Sequence, residues 1–219
     1  MNKQKGFTLV EIAIVLVIIG LLLGGVLKGQ EMIDNARIKN IVNDFKAIQT
    51  ANNAYLDRYK AMPGDEPAAT MTGRGWAGTA VPAVAGNGVW AITLAQTFTN
   101  GGDQPAVWRA LRASGLMTGD AAAPATVAGL MAHGGAGLFG LTAGPAYGMG
   151  GPLVCISGLT TKQVAAMDLM IDGAGAANNT GSFRAATGAA NPLIPVAAAP
   201  AATTYDESLA TRWTACIPL

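Results

Sequence analysis

Three residues near the start of the 219-residue chain have types and spacing that suit chemistry: Gly6, Phe7 and Glu11. Lys3 and Lys5 precede Gly6, and the run from Phe7 to Leu27 is apolar except for Thr8 and Glu11. An ordinary secretory signal places its small-residue cleavage site after the apolar region and so discards that region. Here the small residue comes first. Cutting after Gly6 would remove both lysines, keep the hydrophobic segment and create a new α-amine on Phe7. Glu11 would lie one helical turn below that amine. A carboxylate inside an apolar segment costs about 2.5–3.5 kcal/mol at a membrane helix centre, and less near the interface. Glu11 therefore calls for a partner, and the Phe7 amine has the right charge.

Other groups offer weaker chemistry. Cys155 and Cys216 are the two cysteines of the chain. They lack the spacing of a redox motif or a zinc quartet, and pairing them as a disulfide would close a loop of about 60 residues, stabilising the fold by ~4 kcal/mol on chain-entropy grounds. Asp168 and Asp172, one helical turn apart, form a weak calcium candidate, against which stands a plain helix terminus with a solvated Asp-Gly turn. His133 is the single histidine, so no histidine metal cluster can form, and its place in His-Gly-Gly predicts a surface loop residue. Gly135, Gly137 and Gly140 match G-x-G-x-x-G, but Ala132-His133-Gly134 before them does not read as the strand that a nucleotide site requires. Trp76, Trp90, Trp108 and Trp213 are expected mostly in the core.

These residues sit in three zones. Residues 7–27 would span ~31 Å as a helix, close to the thickness of a bilayer's hydrocarbon core, with the leading lysines on the cytoplasmic side. From Lys28 to Glu66, six basic and six acidic residues cancel. Ile38, Ile41, Val42, Phe45, Ile48, Tyr55 and Tyr59 recur there at helical spacing, one apolar stripe on a polar rod. One helix is predicted from Phe7 to Tyr59, stopped by Pro63-Gly64-Asp65. Residues 67–219 carry only six basic and six acidic residues and are rich in Ala and Gly. Short helices are expected at Gln104–Ser114 and Thr161–Met170, the second capped by Thr160 or Thr161 and left through Asp172-Gly173. Strands are expected at Leu138–Thr142, Leu153–Ser157, Gly181–Ala185 and Thr211–Ile217, and loops at Thr70–Asn87 and Asn191–Thr204. The fold class is α+β, a long N-terminal helix packed on a small antiparallel sheet.

The segment Gly6-Phe7-Thr8-Leu9-Val10-Glu11 resembles, residue for residue, the class III signal of type IV pilins and type II secretion pseudopilins. Similarity to that family implies cleavage after Gly6 and N-methylation of Phe7 by a membrane-embedded prepilin peptidase. It further implies that Glu11 neutralises the N-terminal amine of a neighbouring subunit during assembly. Fragments such as Tyr59–Asp65, Val107–Leu111 and Leu169–Gly173 look similar to pilin-like proteins of Gram-negative bacteria. The proline that many type IV pilins carry near the position of Lys28 is absent here, and Gly20, Gly24, Gly25 and Gly29 are the candidates for local softness instead.

Taken with the resemblance, the chain divides into a leader (1–6), a membrane or filament-core helix (7–27), its amphipathic continuation (28–62) and an α+β, pilin-like head (63–219). The expected function is structural: a subunit held in the inner membrane with its head in the periplasm, then polymerised with its own copies through an assembly platform into a pilus or pseudopilus. The alternative is a minor pilin or adhesin whose head binds a surface, DNA or a secreted substrate. A net charge of +1 and scattered basic residues argue against nucleic acid as a partner. No catalytic constellation and no required cofactor are read from the sequence, so enzymatic function is not expected.

Overall fold

The computed structural model describes residues 8–76, 86–122, 130–135, 137–173, 177–206 and 211–219. Helix α1 runs Leu9–Tyr59, 51 residues, the predicted helix less Thr8, which stands just before its first helical residue. Two compact units follow from the packing, residues 1–39 and 40–219.

From Leu9 to Ile33 the apolar side chains of α1 point outward, and Ile38 is the first large one to be buried. Leu9 is 91% exposed and Leu21 73%, and this stretch is the one helix among the described residues long and apolar enough to cross a membrane. In the second unit the same helix behaves oppositely. Ile41, Phe45, Ile48, Asn52 and Tyr55, spaced alternately by four and three, are all buried, the stripe expected when one helix face meets a core. Lys60, at φ 55°, ends the helix in the left-handed region. Gly64 then turns the chain at φ +79°, where a Cβ would stand 2.5 Å from the Val107 backbone nitrogen. Only glycine fits that approach.

After the turn come α2 (Ala68–Gly73), a 3₁₀ turn (Leu94–Gln96) and α3 (Gln104–Ala113). The predicted loop Thr70–Asn87 is thus corrected at its start: Met71 is buried, and an apolar anchor lets a short helix form there. Residues 77–85 of that loop lie outside the described residues. Strands β1 (Ala132–His133), β2 (Gly137–Thr142) and β3 (Leu153–Thr160) precede α4 (Thr161–Ile171), and β4 (Arg184–Gly188) and β5 (Arg212–Pro218) complete the sheet. The order is β1-β2-β3-β5-β4, antiparallel throughout. β3 is buried from Leu153 to Leu159, as a strand in the middle of a covered sheet must be.

Three of the predicted strands are recovered within a few residues. The fourth is displaced from Gly181–Ala185 to Arg184–Gly188, because the Asp172 carboxylate accepts the backbone N–H groups of Ser182 and Phe183 and holds that stretch as a turn. α4 begins with a capping box: Thr160 Oγ1 accepts from Gln163 N, and Gln163 Oε1 accepts from Thr160 N. The expected loop Asn191–Thr204 contains no helix or strand. Trp90, Trp108 and Trp213 are buried and Trp76 is half-buried.

Candidate functional site

The predicted processing residues Gly6 and Phe7 lie outside the described residues. Immediately after Phe7, Thr8 forms a reciprocal cap on α1 with Glu11. Thr8 N–H and Thr8 Oγ1–H both donate to Glu11 Oε2 at 2.8 Å, and Glu11 N–H donates to Thr8 Oγ1 at 3.3 Å. A helix leaves its first four N–H groups without partners, and a threonine three residues before a glutamate satisfies two of them. The carboxylate also sits at the positive end of the helix dipole, which favours it there. Within one chain, Glu11 is therefore already hydrogen-bonded. Thr8 is the functional residue that sequence reasoning missed, although Thr-x-x-Glu is a legible signature of a helix start. Around this cap Leu9, Val10, Ile12 and Ile14 are all exposed, so the polar pair stands in an apolar surface.

In the head, Cys155 and Cys216 are joined by a disulfide. They are direct partners in the β3–β5 register and lie in a buried cluster with Phe98, Tyr147, Met149 and Leu153. A second anchor joins the end of α1 to the segment after it. The buried Glu66 accepts from Arg74 Nη1 at 2.5 Å and Nη2 at 2.6 Å, a bidentate pair. Tyr55 Oη donates to the same carboxylate, and burial, then this bond, pushes the phenol upward from its ordinary value. The Arg74 guanidinium also stacks 4.3 Å from the Tyr59 ring centroid.

His133 corrects the surface-loop expectation. It is 5% exposed, its Nε2 lies 2.8 Å from the Ser157 carbonyl, and Gly135 N–H donates to its Nδ1. The neutral ring with its proton on Nε2 satisfies both contacts. Burial holds its pKa below the usual histidine range, with the Ser157 bond and the Asp44 charge opposing. Gly137 makes the contact possible: a Cβ there would fall 2.3 Å from His133 Nε2 and 1.9 Å from the Ser157 oxygen. Ala132–His133 is also a strand, contrary to the reading from sequence, because its pairing partner Gly137–Leu138 supplies the ladder. Gly137 and Gly140 nevertheless lie inside β2 rather than at a helix start, so the glycines do not form a dinucleotide fingerprint.

Asp168 and Asp172 serve different partners. Tyr205 Oη donates to Asp168 Oδ2 at 2.5 Å, and burial raises the Asp168 pKa. Asp172 binds the two backbone N–H groups after Gly181. No group of three or more His, Cys, Asp or Glu suited to a metal is found among the described residues.

A long apolar N-terminal helix followed by a small antiparallel five-stranded sheet with short helices is an α+β, pilin-like fold. Residues 1–27 match the family model of the prokaryotic N-terminal methylation motif, the class III signal of type IV pilin precursors. That motif implies processing by a prepilin peptidase, marks a structural rather than enzymatic family, and fits membrane anchoring through the apolar helix. Comparison with curated proteins and with solved structures finds no match.

Proposed function

We propose that this chain is a structural subunit of a type IV pilus or type II secretion pseudopilus. The observation that carries the reading is the methylation motif in residues 1–27, placed directly on a helix whose large apolar side chains from Leu9 to Leu27 are all exposed. In this reading the precursor sits once across the inner membrane with its head in the periplasm. The prepilin peptidase cuts after Gly6 and methylates Phe7. An assembly platform then moves the subunit out of the bilayer, and the apolar halves of α1 from many copies bury one another in the filament. The role needs no cofactor.

Glu11 has two states in this scheme. In the stored subunit its carboxylate caps its own helix through Thr8. In the filament it also faces the Phe7 amine of a neighbour, and ion pairing in an apolar surrounding is strong enough to fix the axial step. Mass spectrometry of the mature N-terminus is the test. The expected product begins at methylated Phe7; a chain that keeps Met1–Gly6 when the peptidase is present overturns the reading. Glu11→Ala should leave the protein in the membrane and stop efficient incorporation into filaments, measured as the sheared extracellular fraction.

A further inference from the structure

The polar group that neither the anchor nor the fold explains is the sequence Asn87-Gly88 and the carboxylate beside it. Asp65, 2% exposed, follows Gly64 at the end of the α1 turn and reaches across to the segment before Trp90. Its Oδ1 accepts Gly86 N–H at 3.0 Å and its Oδ2 accepts Gly88 N–H at 2.5 Å. Trp90 fixes the same junction from the other side, donating from Nε1 to the Pro63 carbonyl at 2.9 Å. Asn87 is exposed, and its Oδ1 accepts Val89 N–H at 2.9 Å.

Each of these contacts has a chemical meaning for one reaction. An Asn side-chain carbonyl bonded to the N–H two residues on closes a ten-membered turn that has the next backbone nitrogen in its ring. That nitrogen belongs to Gly88, whose amide proton already points at a buried carboxylate. The Val89 N–H lies where negative charge would develop on the attacked carbonyl oxygen. Gly88 carries no Cβ to obstruct the approach, and nothing lies within 4 Å of where one would be. Base and nucleophile are thus hydrogen-bonded to each other, as are electrophile and oxyanion donor, at one Asn-Gly step.

We infer that Asn87 is a self-modifying site that converts to aspartate and isoaspartate, with Asp65 as the base that activates the Gly88 amide. The Gly88 N–H proton passes to Asp65 Oδ2 as the Gly88 nitrogen bonds to Asn87 Cγ. The Cγ–Nδ2 bond breaks and ammonia leaves, taking up that proton, so that Asp65 is regenerated and a five-membered succinimide remains. Water opens the ring at either carbonyl. No oxidant, reductant or cofactor is required. The succinimide has no N–H for Asp65, so the contact from Gly88 to Asp65 is lost while the ring persists and returns when water opens it.

The chain contains its own control. Asn100-Gly101 has the same dipeptide, but Gly101 N–H donates to the Thr99 hydroxyl at 3.2 Å, and its backbone is closed in by Gln96, 2.7 Å from an added Cβ. A positioned carboxylate base is worth on the order of 10²-fold or more, whereas a hydroxyl supplies none of that. The full-length protein is incubated folded in detergent at neutral pH, and peptide mapping follows the amide-to-acid mass change and isoaspartate content at both sites. Asn87 is expected to convert at least about tenfold faster than Asn100, and Asp65→Asn should remove the advantage. Because Asp65→Asn can disturb folding, the wild-type chain is also incubated unfolded in urea, where the two sites should become equal. Equal rates in the folded protein, or an advantage for Asn87 that persists in urea, overturn the inference.

Discussion

The two ends of α1 have similar helix-forming backbones and opposite destinies. Residues 9–27 offer apolar side chains on every face, all of them exposed, a surface that fits the hydrocarbon core of a bilayer. Residues 41–55 confine their apolar groups to one stripe, and that stripe is buried against the head. The distribution of apolar residues around the helix, more than their number, decides whether a segment anchors or packs. Glu11 and Asn52 sharpen the contrast. The first is a charged group on an apolar exposed surface, kept satisfied by Thr8. The second is a neutral polar group inside the core stripe.

The comparison can be broken at several points, most strongly through the head's cross-link. Replacing Cys155 and Cys216 by alanine together should lower head stability by about 4 kcal/mol, because the loop they close spans 61 residues. Denaturant unfolding followed by tryptophan fluorescence measures this. The same change should leave membrane retention intact, and loss of the anchor would join the two regions where we separate them.

Paired substitutions along α1 come next. Ile48→Ala removes a buried side chain and should cost about 3 kcal/mol of head stability. Ile18→Ala should cost the head nothing measurable, since Ile18 is exposed in the first unit, and its effect should appear only in membrane partitioning or filament yield. A drop in head stability from Ile18→Ala would break the division.

A smaller effect is expected at the caps. Thr160→Ala should destabilise the head by about 1 kcal/mol through α4, whereas Thr8→Ala should leave head unfolding unchanged and act on the anchor end alone.

The smallest effect is a pH slope. Folding holds the His133 pKa below its unfolded value near 6.5. The unfolded chain therefore binds more protons between those two values, and head stability should fall as pH drops through about 6.5 toward the folded pKa. His133→Gln should flatten that slope, as read from denaturation midpoints over the same interval.

Much of this architecture was legible because it is local. The apolar run, the stripe from Ile41 to Tyr55 and the stop at Pro63-Gly64 depend on neighbours a turn or two away. The cap of α4 is local too: Thr160 or Thr161 is legible as its start, and the structure selects Thr160 with Gln163 as its reciprocal partner. The anchor's chemistry is half legible: Gly6, Phe7 and Glu11 stand out by charge and placement, while Thr8 reads as a polar interruption of the apolar run until its bonds to Glu11 are seen. What escaped depends on residues far apart in the chain. His133 becomes buried because Ser157, 24 positions later, offers a carbonyl and Gly137 leaves room for the ring. β4 shifts because Asp172 claims the amides before it. α2 forms where a loop was expected because Met71 finds a core.

The position of β5 carries a consequence for how the protein is made. It is the last strand along the chain, yet it lies between β3 and β4, which do not pair with each other. While the ribosome is still short of Arg212, β3 has an open edge, β4 has no sheet to join, and Cys155 has no thiol to meet. The anchor, by contrast, is among the first parts to emerge. In the proposed role, a nascent chain would meet the membrane before its head can close, and the disulfide can form only on a chain that has been read through to Cys216.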